Sequence, residues 1–435
     1  MSRTAFKNHA QFPIAIVGGG LGGLALAVGL LKHGINVHIY EAAEAFSEIG
    51  AGVAFGINSI TALHLIDPKL LEGYKKHATF NADADRASTF MSFRWGVDEA
   101  NQTGHKAGDA MFNLDDEWHP NRAEDFGVRT RSCIHRARLL DELVALLPDD
   151  VTSFRKSFVA ADQQEDGTLE IRFADGTTAE ASALIGCDGI KSKVRELVCG
   201  TGVSATYAGE VAYRAMVPKT HAEKALGADL ALNGTIYCGY GGYIVTYPIE
   251  NCDFVNMVAI PHDPGKAWIW DRENWTVPAT TTDLRKSFVG WLPSLIDIIS
   301  DHLMPSKWAL FDLQHDASYF KDNICLLGDS AHATTPHLGA GAGMAMEDAY
   351  VLSQLIATTG DIAHIAKAFR AYDAVRRPRT QKCIEESRNA AMAMDFLEPH
   401  VADDTSALEK ALKSSYKWLW HEDLESQVRG AKALL

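Results

Sequence analysis

The N-terminal region of the chain alternates short apolar runs with glycines, and this pattern predicts its first elements. Ile14–Val17 is a continuous apolar run, which is typical of a strand buried on both faces. Five of the six residues 18–23 are glycine, and the apolar stretch after them has the length of a helix and ends near Gly34. A second strand follows at residues 36–40 and ends in Glu41. We therefore predict a strand–helix–strand unit whose first turn is made of glycines.

These glycines have the spacing of a dinucleotide-binding turn, Gly18-x-Gly20-x-x-Gly23. Gly18 permits the tight turn, Gly20 lets the backbone approach a pyrophosphate, and Gly23 lets the helix pack closely on the strand. The first N–H groups of the helix are available to phosphate, and Glu41, about 20 residues further on, offers acceptors to the ribose hydroxyls. The unit predicts a bound nucleotide without distinguishing NAD from FAD. The alternative is a glycine-rich turn that binds nothing.

Residues 12–31 carry no charge, so hydropathy alone would describe a signal peptide or a membrane helix. The glycines within this stretch would weaken a spanning helix, and they suit a turn between a buried strand and a helix. The uncharged stretch 230–249 is broken by four glycines and Pro248, which indicates sheet. We predict no membrane segment.

Two later apolar runs each end at an aspartate, in Asp188-Gly189 and in Gly328-Asp329. Taken singly, each aspartate is explained equally well as the cap of a helix. The second run continues through His337 into a small-residue loop and then a helical sequence, and such a loop brings backbone N–H groups against a flat ring. The loop consists of Gly339, Ala340, Gly341, Ala342 and Gly343.

Composition and charge narrow the class of protein. The 435 residues are 47% hydrophobic and 22% charged, which is ordinary for a globular chain of roughly three domain equivalents. Lys and Arg number 41 against 56 Asp and Glu, and the net charge of −15 argues against a nucleic-acid partner, because phosphate binding needs a basic surface. The seven cysteines lack paired spacing, so we predict reduced thiols, no metal site, and a cytoplasmic protein.

The three motifs, in this order over residues 14–348, resemble the signatures of the flavoprotein aromatic hydroxylases, the group A monooxygenases of the para-hydroxybenzoate hydroxylase fold. The resemblance implies an α/β fold in which a Rossmann-like FAD-binding domain of the glutathione-reductase type carries an inserted mixed β-sheet substrate domain and a C-terminal helical segment. It implies that the first motif binds the ADP part of FAD. The implied FAD-binding residues are Gly18, Gly20, Gly23, Glu41, Gly52, Arg136, Asp188, Asp329, Gly339, Ala340, Gly341, Ala342 and Gly343.

Some of these implied roles are more specific than others. Asp329 would contact the ribityl chain, and the glycine loop would lie beside the isoalloxazine. The segment at Asp188 resembles one linked to both FAD and NAD(P)H. Arg136 would face the FAD phosphates, and its alternative is a surface arginine at the start of a helix.

The motifs must meet around one FAD, so the FAD-binding domain is predicted to be discontinuous. Its predicted parts are residues 1–78, 108–203 and 316–385, and the substrate domain is assigned to 79–107 and 204–315, with a helical segment at 386–435. Strands are predicted at 89–95, 237–248 and 254–260. Loops are predicted at 120–126 and 262–283, and helices at 380–396 and 406–435.

The family resemblance also implies the chemistry. NADH or NADPH reduces FAD, O2 then gives a flavin C4a-hydroperoxide, and this electrophile transfers OH to a ring carbon that a phenolate activates. The segments 48–53, 212–217, 336–343 and 417–424 resemble the salicylate hydroxylase branch most closely. In that branch the hydroxyl enters at the carbon bearing the carboxylate, so that CO2 leaves and catechol forms. A small anionic aromatic substrate and a monomer or homodimer follow as expectations.

Three residues are candidates for contact with the substrate. His337 could take up a phenol proton, and its alternative is a cap on the following turn. Arg214 could bind the substrate anion or support the flavin, or it could form a surface salt bridge. Tyr243 could line the pocket or only pack within the sheet beside Tyr247. Two alternative functions stay open, namely hydroxylation of another phenol (a hydroxybenzoate, or a polyketide resorcinol with loss of aromaticity) and a non-catalytic flavin or nucleotide sensor.

Overall fold

A computed structural model describes residues 12–46, 52–99, 104–117, 125–262 and 275–435. The strands are β1 Ile14–Val17, β2 Val37–Tyr40, β3 Gly52–Phe55, β4 Thr79–Phe80, β5 Thr89–Trp95, β6 Ala110–Asp115, β7 Ser132–His135, β8 Thr152–Ser153, β9 Phe158–Gln163, β10 Leu169–Phe173, β11 Thr178–Ala181, β12 Ala183–Gly186, β13 Thr206–Pro218, β14 Thr235–Gly239, β15 Gly242–Ile249, β16 Phe254–Pro261, β17 Thr276–Pro278, β18 Ser306–Asp312, β19 Phe320–Lys321 and β20 Ile324–Leu326. The α-helices are α1 Leu21–Lys32, α2 Ile57–Ile66, α3 Pro68–His77, α4 Arg136–Val144, α5 Val194–Cys199, α6 Lys219–Leu226, α7 Ala228–Ala231, α8 Thr281–Ser287, α9 Pro293–Asp301, α10 Asp329–His332, α11 Gly341–Thr359, α12 Ile365–Met394, α13 Thr405–Trp420 and α14 Leu424–Lys432.

A six-stranded sheet in the order β19-β20-β12-β1-β2-β8 brings the three motifs together. β1 lies in its middle and pairs in parallel with β12 and β2, and β12 pairs in parallel with β20. Because parallel strands end at the same edge, the turns after Val17, Gly186 and Leu326 meet there. The predicted strand–helix–strand unit and the convergence of the motifs are confirmed.

An eight-stranded mixed sheet, in the order β17-β18-β13-β16-β15-β14-β5-β6, forms the second layer. The predicted strand at 89–95 is β5, which pairs in parallel with β14. The predicted strand at 237–248 is instead two strands, β14 and β15, because a turn at Gly241 with φ of +77° separates them. β6 pairs with β5 and so lies in this sheet, beyond the predicted boundary at residue 107. The α/β class with an inserted mixed sheet is confirmed.

The helices near the C-terminus differ from their prediction. The sequence places a helix start after Pro378, at residue 380, but α12 runs from Ile365 to Met394 straight through Pro378. A proline costs a helix about 3 kcal/mol. Here side chains buried on both sides of it, among them Phe369, Tyr372 and Cys383, hold the helix against the core. The predicted helix at 406–435 is two helices, α13 and α14, separated by residues 421–423.

Part of each predicted loop lies outside the described residues, namely 120–124 and 263–274. The remainder of the second loop contains β17 and the start of α8. All seven cysteines are free thiols. Within the described ranges, helices are too short or too polar to cross a membrane.

Candidate active site

A pocket of about 460 Å³ lies where the motif edge of the six-stranded sheet faces the eight-stranded sheet. Gly20, Gly52 and Asp329 line one part of it, and Arg214 and Tyr243 line the other. On the sheet side the lining residues alternate along neighbouring strands, because every second side chain of a strand points to the same face. The predicted cofactor motifs and the predicted substrate residues therefore open into one space.

Glycine occurs at each of the three positions of the first motif for a different structural reason. Gly18 has φ of +107°, and a Cβ there would lie 2.3 Å from the Cys187 carbonyl oxygen. A Cβ on Gly23 would lie 2.2 Å from the Gly18 carbonyl oxygen, so the close approach of helix and strand requires glycine. A Cβ on Gly20 would meet no atom within 4 Å, and Gly20 lines the pocket. The turn thus leaves room for a pyrophosphate at Gly20 alone.

Glu41 holds the shape of this turn. Its Oε2 accepts a hydrogen bond from the Gly19 N–H at 2.6 Å, and its Oε1 accepts one from the Ala43 N–H at 2.7 Å. The carboxylate is therefore adjacent to the glycines and partly exposed. Its contact with a ribose stays a prediction.

The third motif supplies another part of the pocket wall. Asp329, the first residue of α10, is exposed and lines the pocket, so its carboxylate is available to hydroxyl groups. Gly339 closes the preceding turn with φ of +62°, and Ala340, Gly341 and Ala342 also line the pocket. A bare backbone wall beside a free carboxylate fits a flat ring with a polyol chain.

Gly343 does not line the pocket, although the sequence groups it with the loop. A Cβ there would lie 2.0 Å from Oγ of Ser59, so this glycine allows α11 to pack on α2. Gly52, by contrast, lines the pocket, and its carbonyl accepts a hydrogen bond from the Tyr247 hydroxyl at 3.0 Å. Residues 48–51, the rest of that predicted segment, lie outside the described residues.

Arg136 lies at a helix start, and Asp188 lies in the turn that precedes α5. The Asp188 carboxylate accepts hydrogen bonds from the Ser192 hydroxyl at 2.5 Å and from the N–H groups of Lys193 and Val194, which is the helix-capping alternative. Its neighbour Gly189 lines the pocket. Arg136 begins α4, is half-buried and lines the pocket, so the alternative of a plain surface arginine does not describe it.

Arg214 lies on β13 with its guanidinium 4.8 Å above the indole ring of Trp308. Burial lowers the pKa of its guanidinium. Among the described residues no carboxylate lies within ion-pair distance of it, so the surface salt bridge that the sequence left open is not formed there. The side chain is a half-buried cation facing the pocket.

His337 and Tyr243 form a buried pair. The Tyr243 hydroxyl lies 2.9 Å from Nδ1 of His337, and Nε2 of His337 lies 2.9 Å from Oε2 of Glu210. Both ring nitrogens face side-chain oxygens 2.9 Å away, and neither caps the following turn. Burial, followed by the charge of Glu210, raises the pKa of the Tyr243 hydroxyl well above its ordinary value, so it stays protonated.

Sequence reasoning missed Glu210, Asp395 and Tyr416, the last of which reaches the pocket from α13. Glu210 did leave a signal, because residues 210, 212 and 214 alternate along β13 and therefore share one face with the candidate Arg214. Asp395 and Tyr416 left none, since nothing local relates the C-terminal helices to a pocket formed by earlier parts of the chain.

Comparison with known proteins agrees with this geometry. The family model described as an FAD binding domain matches residues 11–387. The chain is 37% identical to the 6-methylsalicylate 1-monooxygenase of Aspergillus terreus, over 98% of this chain and 92% of that protein. It is 33% identical to a salicylate hydroxylase of Pseudomonas putida, over 99% of this chain and 96% of that protein. A solved salicylate hydroxylase substrate complex matches with a TM-score of 0.83 at 30% identity, covering 97% of this chain and 98% of that one.

Proposed function

The chain belongs to the FAD-binding domain family, and from that membership we propose that it hydroxylates salicylate, or a ring-substituted salicylate, at the carbon that bears the carboxylate. It is an FAD-dependent aromatic-ring monooxygenase that uses NAD(P)H and O2. In the proposed reaction CO2 leaves, and salicylate gives catechol. The observation that supports this substrate class is the presence, in one pocket, of a tyrosine–histidine pair and of Arg214, which pairs with no carboxylate among the described residues.

Gly20, Gly52, Asp329 and the loop 339–342 would hold the cofactor, because they offer backbone N–H groups, free space and one carboxylate. When bound, FAD supplies the electrophilic oxygen after NAD(P)H has reduced it and O2 has reacted. The chain contributes a dry cavity, since apolar side chains cover much of the sheet side of the pocket and keep water from the reaction. They include Met91, Ile236, Val245, Val258, Ile260 and Leu310.

Arg214 would bind the substrate carboxylate. A guanidinium pairs with a carboxylate through two parallel hydrogen bonds, which fixes the orientation of the ring as well as its position. An anion at this place would also offset the cost of burying the Arg214 charge. A 2-hydroxybenzoate held in this way presents its hydroxyl group next to the bound carboxylate.

Tyr243 and His337 would receive the proton of that hydroxyl group. A phenolate pushes electron density into the ring at the carbon that is attacked, so removal of this proton activates the substrate. The Tyr243 oxygen can accept the substrate proton while its own proton passes to Nδ1 of His337 across 2.9 Å. His337 then acts through Tyr243, because both of its nitrogens are already engaged.

The test uses the purified holoenzyme and a matched set of aromatic acids. We expect a yellow protein whose NADH or NADPH oxidation accelerates with salicylate and with 6-methylsalicylate, yielding one CO2 and one dihydroxy product per NAD(P)H. 3-Hydroxybenzoate and 4-hydroxybenzoate serve as controls, since their hydroxyl groups are not adjacent to the carboxylate.

Accelerated oxidation that yields only H2O2 would show salicylate to be a non-substrate effector and would contradict the decarboxylating reaction. Turnover of 3- or 4-hydroxybenzoate without CO2 release would instead support hydroxylation of another phenol. A protein that binds FAD but oxidises NAD(P)H at the same rate with every phenol would support the sensor function.

A further inference from the structure

Behind His337, on the side away from Tyr243, lie three further acid–base groups. Glu210 on β13 contacts His337, and its other oxygen, Oε1, lies 3.5 Å from Nδ1 of His262. The same nitrogen lies 3.8 Å from Oδ2 of Asp395, the residue that follows α12. Tyr243, His337, Glu210, His262 and Asp395 thus form a continuous line that begins at the pocket.

The backbone holds this line in place. Glu210 on β13 and His262, the residue after β16, face each other across an isolated antiparallel bridge. The Gly241 N–H donates to the Asp395 carbonyl at 2.9 Å, and the His262 N–H donates to the Gly241 carbonyl at 2.9 Å. Three distant parts of the chain are therefore tied together where the side chains meet.

The inner end of the line is dry and the outer end reaches water. The side chains of His337 and Asp395 are fully buried and that of Glu210 is 3% exposed, whereas 10% of the His262 side chain is exposed. Five polar atoms of this line have no hydrogen-bond partner of regular geometry among the described residues, namely Nε2 of His337, Oε1 of Glu210, Nδ1 of His262 and both Asp395 oxygens. Such atoms are rare in buried positions, because each loses its hydration without compensation.

The charges along the line are unequal. Burial opposes ionisation of Glu210, yet the facing His337 and His262 hold the pKa of its carboxyl at about 2, so it is an anion. Burial and the charge of Glu210 raise the pKa of the Asp395 carboxyl well above its usual range. A carboxylate acceptor thus lies between two imidazoles and a protonated acid.

Two further titratable groups among the described residues face this line, and both are neutral near pH 7. Cys238 and Tyr416 lie within electrostatic reach of Tyr243, and Asp395 acts on Cys238. Burial raises the pKa of both the Cys238 thiol and the Tyr416 hydroxyl, so neither competes for the proton.

We propose that Glu210, His262 and Asp395 are the outlet through which the substrate's hydroxyl proton leaves Tyr243 and His337 for solvent. The substrate O–H bond breaks as the Tyr243 oxygen gains the proton, Tyr243 passes its own proton to Nδ1 of His337, and Nε2 of His337 passes its proton to Glu210. Glu210 returns to its anionic form by giving the proton to Nδ1 of His262, whose Nε2 proton then goes to water. Asp395 stays protonated, with its Oδ2 3.8 Å from Nδ1 of His262, and so adds no second negative charge beside Glu210.

Glu210 is in this scheme a positioning residue for His337. A carboxylate only accepts hydrogen bonds, so when the His337 ring carries one proton, Glu210 favours that proton on Nε2 and leaves Nδ1 as the acceptor that Tyr243 needs. The proposal rests on the proposed hydroxylation in the pocket. It adds the route of the proton and three residues beyond the pocket wall.

The same three side chains could hold a divalent cation instead, since their ligand atoms lie within 4.8 Å of one another. The contact between Glu210 and His337 favours the proton route, because it joins the cluster to Tyr243 and the pocket. Metal analysis of the purified holoenzyme decides this point. One equivalent of bound metal, together with loss of activity on chelation, would overturn the proposal.

The kinetic test compares Glu210→Gln with the wild type on salicylates whose phenols differ in acidity. We expect the rate of hydroxylation to fall by about 100-fold with salicylate, the lower end of the range for loss of general-base assistance. The loss should shrink with a nitro-substituted salicylate, whose more acidic phenol needs less help, while KM and the Kd for FAD stay within about two-fold. His262→Gln should show the same trend with a smaller loss.

Asp312→Asn is the matched control for removing a buried carboxylate. Asp312 lies in the same sheet and pairs with Arg388, away from the pocket. This variant should melt at a lower temperature. Its rate of hydroxylation should depend on the acidity of the substrate's phenol as that of the wild type does. If the rate of hydroxylation by Glu210→Gln depends on phenol acidity in the same way as that of the wild type, Glu210 has only a structural role and the outlet does not exist.

A second measurement does not need turnover. In holoenzyme labelled with 15N-histidine, NMR should show the His337 proton on Nε2 in the wild type and a mixture of tautomers in Glu210→Gln. A proton on Nδ1 in the wild type would overturn the inference. Should salicylate prove not to be a substrate, this result would still stand, so failure of the proposed function and failure of the outlet are separate outcomes.

Discussion

Arg214 carries much of the specificity that we propose for the pocket. Its guanidinium lies over Trp308, and the described carboxylates lie beyond ion-pair distance, so the charge is left for a ligand. Hydrogen bonds to charged groups contribute about 1.5–3 kcal/mol, which is enough to select an anionic ring over a neutral one.

Replacing Arg214 should therefore act on substrate binding. We expect Arg214→Met to raise KM for salicylate by about 10- to 150-fold, the equivalent of one lost charged hydrogen-bonding pair. Steady-state kinetics measure KM, and FAD titration measures the Kd for FAD, which should not change. Arg172→Met, which removes an exposed arginine from β10, should change neither. An unchanged KM in Arg214→Met would exclude Arg214 as the anion site.

Gly20 and Gly23 should respond differently to the same added methyl group. In Gly20→Ala the Cβ enters empty pocket space, so we expect weaker FAD binding and near-normal folding. In Gly23→Ala the Cβ meets the Gly18 carbonyl, so we expect loss of stability of about 1–3 kcal/mol from overpacking. Denaturant unfolding of the flavin-free proteins and FAD titration distinguish the two. Equal effects of both substitutions would contradict the separate roles of these glycines.

At the scale of elements, the packing of α11 on α12 depends on buried ions. Arg376 lies 2.7 Å from Oε2 of Glu347 and 2.7 Å from Oδ1 of Asp348, and Arg379 also binds Glu347. Nε2 of His332 lies 2.5 Å from Oδ2 of Asp348. Burial opposes ionisation of both carboxyls, but these cations hold each pKa at about 2.

Because of this network, the stability of the folded protein should depend on pH in the acidic range. Because the folded-state pKa values are depressed, the stabilisation is complete above the unfolded values of about 4 and is lost as pH falls toward about 2. Thermal melts should show a Tm that falls steeply below about pH 4.

Arg376→Met should lower the free energy of unfolding by about 3–5 kcal/mol at pH 7, because it leaves two buried carboxylates poorly paired. Arg285→Met, which breaks the exposed pair with Asp297, should cost less than about 1 kcal/mol. A Tm in Arg376→Met close to that of the wild type would contradict this account.

What the sequence predicts at this scale depends on distance along the chain. The turn at residues 18–23 is local, so the composition and spacing of this segment were enough to predict the turn and the strands around it. The course of α12 through Pro378 was not predicted, because packing outweighs the local cost of proline. Asp395 meets His262 only through tertiary structure, so the outlet could be found only in three dimensions.

Across the whole molecule, an overall charge of −15 surrounds a pocket proposed to bind an anion. The long-range field repels such a substrate, and attraction begins only near Arg214. Salt shortens the range of the field from about 30 Å at 0.01 M to about 8 Å at 0.15 M ionic strength.

Added salt should therefore help this enzyme. We expect kcat/KM for salicylate to rise by about two-fold between 0.01 M and 0.15 M ionic strength, because screening removes the distant repulsion more than the half-buried attraction. Salicylamide, a neutral competitor, should bind equally well at both ionic strengths. A fall in kcat/KM with salt would show that the field around the pocket entrance is positive despite the net charge.

The central place of β1 in the six-stranded sheet has a consequence for synthesis. One of its two neighbours, β12, ends at Gly186, about 170 residues after β1. At roughly 5–20 residues per second, the edge of β1 that pairs with β12 stays unpaired for about 10–35 s after it leaves the ribosome. A nascent chain with so apolar a strand waiting for its neighbour is a natural client for chaperones, and slower translation would lengthen its exposure.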